Sequence, residues 1–324
     1  MKRSRRLASL DLGTNSTRML IADTDGTRTS TLERRMVITR LGQGVESSRS
    51  LLPEARERTL DVLQEYGGLL REAGVLEVAA AATSVLRDCE DSDEFLRLAE
   101  GVIGTRPRVL TGEQEALASF LGAVSDLDSP SFRTKPVLVF DIGGGSTELI
   151  VGEMRTARRL SLEGESHGLK VRSVDLGCVR MSERFLKSDP PSTVSIGRME
   201  SHIVKELKPA VADLLTPRPA LVVGLAGTVA TLSGMKLGLD RYDTDRIHRS
   251  RLTREEVEDL FRKLASVASE KRKEIMGLEP ERADVIVGGA AVLRVVMDLT
   301  GSDEILVSEK DILDGLVLDL YRRG

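Results

Sequence analysis

A glycine-rich segment bracketed by two acids lies near the middle of the chain. The apolar run 137–140 leads to Asp141, three glycines and two hydroxyl residues follow, and Glu148 ends the segment. Glycines after a strand let backbone N–H groups approach an anion, because no Cβ intervenes. Carboxylates beside a phosphate loop suit Mg²⁺, which takes few carboxylates and completes its shell with phosphate oxygens and water. The segment therefore predicts a phosphate and metal site, and the alternative is a plain hairpin turn without a ligand.

The same polar pattern occurs once more, near the start of the chain. At a shift of 130 residues (141 − 11), Asp11 aligns with Asp141, and a glycine, a serine and a threonine also coincide. A repeated strand–turn–strand unit indicates a duplicated domain. The candidate metal ligands of the two segments are Asp11, Asp141 and Glu148. The candidate phosphate contacts are Gly13, Thr14, Asn15, Ser16, Gly143, Gly144, Gly145, Ser146 and Thr147.

A third candidate anion contact is Gly227–Thr228, which follows a predicted buried strand. A glycine before a helix exposes backbone N–H groups that have no partner within the helix. The alternative is an ordinary strand-to-helix turn. Arg87, just after another buried strand, is a candidate phosphate clamp through its planar donor fork, and its alternative role is a surface salt bridge.

Glu115 lies in the first turn of a helix that a capping box at Thr111–Gln114 begins. On that helix it shares a face with Ala118, Ser119 and Gly122, and we expect these small residues to leave room for a ligand. The alternative is that Glu115 only complements the helix dipole. Phosphoryl transfer to water needs a metal, donors on the phosphate oxygens and a group that orients the water. Glu115 is the candidate for that last role.

Composition narrows the classes of partner. The net charge of −4 gives no general attraction for polyanions, and the absence of tryptophan argues against a stacking surface for single-stranded nucleic acid. No apolar run approaches the roughly 20 residues that cross a membrane. The apolar stretch after the basic residues 1–6 is too short for a signal peptide, so we expect a cytoplasmic protein. Cys89 and Cys178 are isolated and show no metal or redox spacing, which predicts packing roles.

The elements that position these residues form two α/β halves. A chain of 324 residues suggests about two domains. The first half reads β-β-β-α-β-α-β, and the polar residues 126–131 read as a linker. The second half restarts with the repeated hairpin. We predict further strands near 158–162, 170–174, 220–224 and 304–307, helices near 181–187, 194–215 and 309–321, and a basic loop over 236–252.

These motifs resemble the exopolyphosphatase/guanosine pentaphosphate phosphatase family. The resemblance spans nearly the whole chain and implies two ribonuclease H-like domains of the sugar kinase/Hsp70/actin superfold, with mixed sheets around an inter-domain cleft. We predict domains at 1–128 and 129–308, with helix 309–324 packing back on the first. No His-Asp pair is present, so the chain looks like the short, two-domain form. The motifs that carry the resemblance are Asp11–Ser16, Ala82–Arg87, Gly112–Ala116, Asp141–Glu148, Gly227–Thr228, Arg282–Ile286 and Val307–Glu309.

The resemblance also implies roles for single residues. It makes Glu115 the catalytic base, and Arg87 and Arg282 phosphate contacts. It places Asp11, Asp141 and Glu148 around the metal. The implied reaction is Mg²⁺-dependent hydrolysis of the terminal phosphoanhydride bond of inorganic polyphosphate, with the alarmone pppGpp as the close alternative substrate. Basic residues such as Arg155, Arg158, Lys170 and Arg172 could guide a polyanion despite the negative net charge.

Two other functions fit the same residues. An ATP-dependent kinase or ATPase of the superfold would use Glu115 on a substrate hydroxyl or on water. A non-enzymatic sensor of polyphosphate or an alarmone would keep Arg87 and the glycine loops without needing Glu115. Phosphate release from polyphosphate without an acceptor separates the phosphatase from the kinase. We further predict a homodimer that binds neither nucleic acid nor membrane.

Overall fold

The computed structural model describes residues 4–127, 132–164 and 168–324. Its contacts divide the chain into two compact units. Unit 1 comprises Met1–Asp128, Ala157–His167 and Lys310–Gly324, and unit 2 comprises Ser129–Thr156 and Gly168–Glu309. The predicted boundary between residues 128 and 129 lies outside the described residues, so the domain limits stay a prediction. Within the described ranges, no helix is both long and apolar enough to span a bilayer.

The strands alternate with helices along most of the chain. In chain order the strands are β1 (Arg5–Leu12), β2 (Thr17–Thr24), β3 (Thr29–Val37), β4 (Glu77–Ala82), β5 (Arg108–Val109), β6 (Pro136–Ile142), β7 (Thr147–Glu153), β8 (Lys170–Val174), β9 (Leu221–Leu225), β10 (Arg251–Thr253) and β11 (Glu304–Val307).

The helices include several of a single turn. In chain order they are α1 (Val45–Ser48), α2 (Pro53–Glu72), α3 (Ser84–Asp88), α4 (Ser92–Ile103), α5 (Gly112–Val124), α6 (Cys178–Phe185), α7 (Thr193–Leu214), α8 (Ala226–Lys236), α9 (Thr244–Ile247), α10 (Arg254–Ala265), α11 (Ser269–Arg272), α12 (Ile286–Thr300) and α13 (Ile312–Arg323). Two 3-10 helices lie at Met154–Arg159 and Pro280–Arg282.

The two sheets have the same strand order. Unit 1 has the order β3-β2-β1-β4-β5, with β1 antiparallel to β2 and parallel to β4. Unit 2 has the order β10-β11-β9-β6-β7-β8, with β6 antiparallel to β7 and parallel to β9. Each sheet therefore begins with a hairpin and a third antiparallel strand, and parallel strands extend it on the other side; β10 is an added edge. The predicted fold class, α/β with two mixed sheets, is confirmed.

Some predicted elements differ from the structure. The strand expected near 158–162 is absent from the described residues there, where the 3-10 helix Met154–Arg159 ends. The predicted basic loop 236–252 contains α9 and the start of β10. The helix expected from 181 begins at Cys178, and the last helix begins at Ile312 behind the N-cap Asp311. The start at Cys178 is fixed by contacts with the distant residues Gly143 and Gly144, whereas the start at Ile312 is set by the local capping box of Asp311 and Asp314.

The last helix packs against the helix that carries Glu115. A Cβ on Gly122 of α5 would overlap the carbonyl oxygen of Asp311, and a Cβ on Gly315 of α13 would overlap the carbonyl oxygen of Ala118. Each helix thus contributes a glycine that lets the other backbone come close. The prediction that Ala118, Ser119 and Gly122 leave room for a ligand is wrong at Gly122, because α13 fills the space beside it.

We expect Gly122→Ala and Gly315→Ala each to lower the free energy of unfolding by about 2 kcal/mol or more, because the added methyl group forces the two helices apart. Gly101→Ala is the matched control: it lies in α4, and a Cβ there meets no atom within 4 Å. Replacing that helical glycine should raise stability by about 0.5–1 kcal/mol. Urea unfolding of the three variants measures this, and equal stability of all three would contradict the packing described.

Candidate active site

The two repeated segments form turns of the same geometry. The amide of Gly13 donates to the carbonyl of Ser16 at 3.0 Å, and the amide of Gly143 donates to that of Ser146 at 3.0 Å. The last paired residues before and after each turn also correspond, since Leu12 pairs with Thr17 as Ile142 pairs with Thr147. The repeat seen in the sequence is therefore a repeat of structure.

In unit 1, neighbouring segments hold the turn in place. The carbonyl oxygens of Thr14 and Asn15 accept hydrogen bonds from the amides of Gly42 (2.8 Å) and Arg40 (2.9 Å). The Thr14 hydroxyl lies 3.1 Å from that of Ser84, at the start of α3. The side-chain Nδ2 of Asn15 is buried and has no hydrogen-bond partner. Buried donors are rarely left without a partner, so this amide suits an anionic ligand.

Asp11, one residue before the end of β1, lies opposite Arg18 of β2. Its Oδ2 accepts from Nε of Arg18 at 2.9 Å and also from Nη2, whereas its Oδ1 is buried without a hydrogen-bond partner. Burial raises the pKa of Asp11, and Arg18 only partly offsets this. One carboxylate oxygen is thus fully engaged and the other is open to a ligand that donates or carries positive charge.

Glu115 and Arg87 form an ion pair within unit 1. Glu115 is 5% exposed and lies one turn into α5, behind the capping box that Thr111 and Gln114 form as predicted. Nη1 of Arg87, at the end of α3, donates to Oε1 of Glu115 and to the carbonyl of Leu110 at 2.6 Å. The structure therefore brings these two predicted residues together, and the partner of Arg87 is the buried Glu115.

In unit 2, the start of α6 packs on the glycine turn. The amides of Cys178 and Val179 donate to the carbonyls of Gly143 (2.9 Å) and Gly144 (3.0 Å). Nε of Arg180 donates to the carbonyl of Gly145 at 2.9 Å. A Cβ on Gly177, the N-cap of α6, would overlap the carbonyl of Gly144. Neither Arg180 nor the packing of α6 on the glycine turn was predicted from the sequence. The signal that was available is Gly177, a glycine directly before the apolar start of a helix.

Asp141 and Glu148 are buried and lie directly opposite each other in the β6–β7 hairpin. Opposite residues of an antiparallel pair point to the same face of the sheet and lie within contact distance. Oε1 of Glu148 accepts a hydrogen bond from the hydroxyl of Ser173 at 2.9 Å. Unit 2 thus places two acids where unit 1 places Asp11 and Arg18.

Gly227, Thr228 and Arg282 also lie together in unit 2. Ala226, the first residue of α8, has a φ of 68°, an uncommon backbone conformation for a residue with a side chain. A Cβ on Gly227 would overlap the guanidinium of Arg282, which is buried and paired with Glu279. The predicted contacts therefore form one cluster, in which a guanidinium covers the start of the helix.

The predicted metal ligands fit a hard cation only in part. Among the described residues, no group of three or more acids, histidines or cysteines is placed to hold a metal ion. The buried Oδ1 of Asp11, which has no partner, is the observation that fits. Mg²⁺ usually keeps several waters and binds through one or two carboxylates plus phosphate oxygens, so such a sparse donor set suits it.

The other candidates have structural partners. Arg155 pairs with Glu153, and Arg172 with Asp213, whereas the side chain of Arg158 lies outside the described residues. Nζ of Lys170 donates to the backbone carbonyls of residues 213 and 216, at 3.0 and 2.8 Å. Both cysteines are buried, and burial raises the pKa of the Cys89 thiol to about 12 and also raises that of Cys178. Neither thiol is prepared to act as a nucleophile.

Comparison with known proteins gives full-length matches. The sequence model of the Ppx/GppA phosphatase family matches residues 20–323. "Exopolyphosphatase 2" of Mycobacterium tuberculosis is 36% identical, with 97% of this chain and 98% of that protein covered. A crystal structure of an exopolyphosphatase-like protein has a TM-score of 0.90 at 32% identity and 99% coverage of both chains. The crystal structure of the Aquifex aeolicus member of the Ppx/GppA family has a TM-score of 0.79 at 29% identity and the same coverage.

The two carboxylates that share Arg18 should affect stability in opposite directions. Burial works to raise the pKa of Asp311, but Arg18, Arg34 and the amide of Leu313 outweigh it, so that pKa is lowered. Ionised Asp311 therefore stabilises the fold, and Asp311→Asn should cost roughly 3 kcal/mol at pH 7 because it breaks a buried ion pair. The pKa of Asp11 is raised, so Asp11→Asn should raise the free energy of unfolding.

Urea unfolding in metal-free buffer measures both effects. A lowered pKa gives stability that is present above the unfolded value, 3.8 for Asp311, and that is lost as the pH falls through the folded value. The difference between wild type and Asp311→Asn should therefore narrow below about pH 4. Equal losses of stability for both variants at pH 7 would contradict the opposite signs.

Proposed function

Because the chain belongs to the Ppx/GppA phosphatase family, we propose that it is a Mg²⁺-dependent exopolyphosphatase that releases phosphate from the end of inorganic polyphosphate. The family predicted from the sequence motifs, and with it an enzyme of the phosphatase class, is confirmed by the match over residues 20–323. The substrate, the metal and the residue roles are our proposal. Two relatives named exopolyphosphatase or exopolyphosphatase-like, each matched along its full length, favour polyphosphate.

The observation that carries the proposal is the buried pair of Glu115 and Arg87. A carboxylate 5% exposed at the start of a helix needs a compensating charge, and Arg87 supplies it. When a phosphate chain binds, Arg87 can turn its remaining donors to the phosphate oxygens, since guanidinium suits such bonds. Glu115 is then the carboxylate that accepts a proton from the attacking water.

The remaining residues bind and orient the substrate in this proposal. In unit 1 the proposed phosphate contacts are the amide of Asn15 and the backbone of the glycine turn, and in unit 2 they are the backbone of the other glycine turn and Arg282. A bound Mg²⁺ would neutralise charge on the phosphate oxygens, and its candidate acids are Asp11 in unit 1 and Asp141 and Glu148 in unit 2. In-line attack by water on the terminal phosphorus then breaks the anhydride bond to the next phosphate.

The pentaphosphate pppGpp is the alternative substrate, since its 5′ end carries the same terminal phosphoanhydride bond. We also propose that the protein acts as a cytoplasmic homodimer. Phosphate release measured over polyphosphates of increasing length, with pppGpp and ATP alongside, ranks the substrates. Turnover of ATP alone would replace the phosphatase by the kinase or ATPase alternative, and no turnover of any of them with several divalent metals would favour a sensor.

Glu115→Gln should lower kcat for phosphate release by at least about 100-fold, because the amide cannot accept the proton from water. Substrate binding should persist, since the amide has nearly the same shape as the carboxylate. The matched control is Glu113→Gln on the exposed face of the same helical turn, which should keep wild-type activity. Phosphate release and equilibrium binding of a short polyphosphate measure the two effects. A wild-type kcat in Glu115→Gln would contradict the role of Glu115 as the base that accepts the proton from water.

A further inference from the structure

The two repeated hairpins differ in charge at the position opposite their aligned aspartates. Glu148 stands opposite Asp141 in unit 2, and Arg18 occupies the corresponding place opposite Asp11 in unit 1. The hairpin of unit 2 thus holds two acids opposite each other, and the hairpin of unit 1 holds an acid opposite a guanidinium. Nε and Nη2 of Arg18 both donate to Oδ2 of Asp11, and Oδ1 is left buried without a partner.

Arg18 is itself fixed by the last helix. Its Nη1 donates to Oδ2 of Asp311, whose side chain is 7% exposed. Asp311 is in turn fixed as the N-cap of α13, because its Oδ1 accepts from the amide of Leu313 at 3.0 Å. Arg34 also pairs with Asp311. A guanidinium held at both edges between two buried carboxylates has little freedom to turn, so the carboxylate of Asp11 is held as well.

Asp311 also touches the helix of Glu115. Its carbonyl oxygen occupies the space that a side chain at Gly122 would need, and Gly122 lies on α5, two turns after Glu115. Asp311 therefore makes two contacts that matter for the site. Its backbone carbonyl lies against α5, the helix that carries Glu115, and its side chain pairs with Arg18, the partner of Asp11.

We propose that Arg18, anchored by Asp311, is a positioning residue that turns Asp11 so that Oδ1 is the oxygen it presents to the divalent cation. The inference rests on the proposed function in so far as Asp11 is a cation ligand. A carboxylate that is free to rotate would lose this freedom when the cation binds, and the entropic cost would lower the affinity for the cation. Second-layer partners of this kind typically change metal affinity by about 10–100-fold.

Two effects of Arg18 on a cation oppose each other, and this makes the inference testable. Its positive charge repels the cation, so repulsion alone predicts that Arg18→Met binds metal more tightly. Its hydrogen bonds orient Asp11, so orientation predicts that the same variant binds metal more weakly. A role confined to stability predicts a lower melting temperature with unchanged metal affinity of the folded protein.

The experiment is a titration of the metal-free protein with Mn²⁺, followed by electron paramagnetic resonance, together with its melting temperature and its phosphate release. We expect Arg18→Met to weaken Mn²⁺ binding about 10–100-fold and Arg18→Lys, which keeps one donor group, to fall between that variant and wild type. The matched control is Arg6→Met, which removes the Arg6–Asp23 cross-strand pair at the far end of the same hairpin and should leave Mn²⁺ affinity unchanged.

If Arg18→Met does not fold, Asp311→Asn provides the same test, because it keeps Arg18 but loosens its anchor. Unchanged or tighter Mn²⁺ binding in the folded Arg18 and Asp311 variants overturns the inference, as does a wild type that binds no Mn²⁺. A wild type that binds Mn²⁺ with the expected loss in Arg18→Met, yet releases no phosphate from polyphosphate or pppGpp, supports the positioning role and defeats the proposed function instead.

Discussion

The arrangement of unit 1 depends on a buried chain of charges that runs from Asp11 through Arg18 to Asp311 at the start of α13. Removing such groups from water costs several kcal/mol per ion, and their attraction repays this only where the geometry is good. A buried network of this kind is weak evidence for stability. We infer that it favours specificity instead, because an arrangement without the contact between β2 and the last helix would leave Arg18 or Asp311 without this partner.

The close contact between α5 and α13 makes this network relevant to Glu115. Gly122 and Gly315 allow the two backbones to touch. Because the contact leaves no space between the helices, a shift of α13 would also shift α5. The hydroxyl of Ser9 adds a further link, since it donates to the carbonyl of Leu313 at 2.8 Å and ties the last helix to β1. The strand of Asp11 and the helix of Glu115 are thus fixed to one common element.

Much of the fold and part of the site were predictable from the sequence, because those features are local. The hairpin turns show as glycine and hydroxyl patterns at a fixed shift, the capping box at Thr111–Gln114 fixes the start of α5, and Pro53 fixes that of α2. Arg18 was not singled out from the sequence, although extending the repeat alignment by one residue aligns Arg18 with Glu148. Its significance depends on Asp311, 293 residues away in the chain, and no local pattern reports that partner.

The error at Gly122 has the same physical origin. A small residue on a helix face leaves space, and the sequence does not say whether a ligand or another helix fills it. Here the space belongs to α13, whereas two buried atoms of larger side chains in the first hairpin, Oδ1 of Asp11 and Nδ2 of Asn15, have no hydrogen-bond partner. A buried acceptor and a buried donor without partners in one hairpin lower stability, since each loses its bonds to water. A ligand that completes these bonds would offset that cost, and a phosphate with its cation offers both kinds of partner.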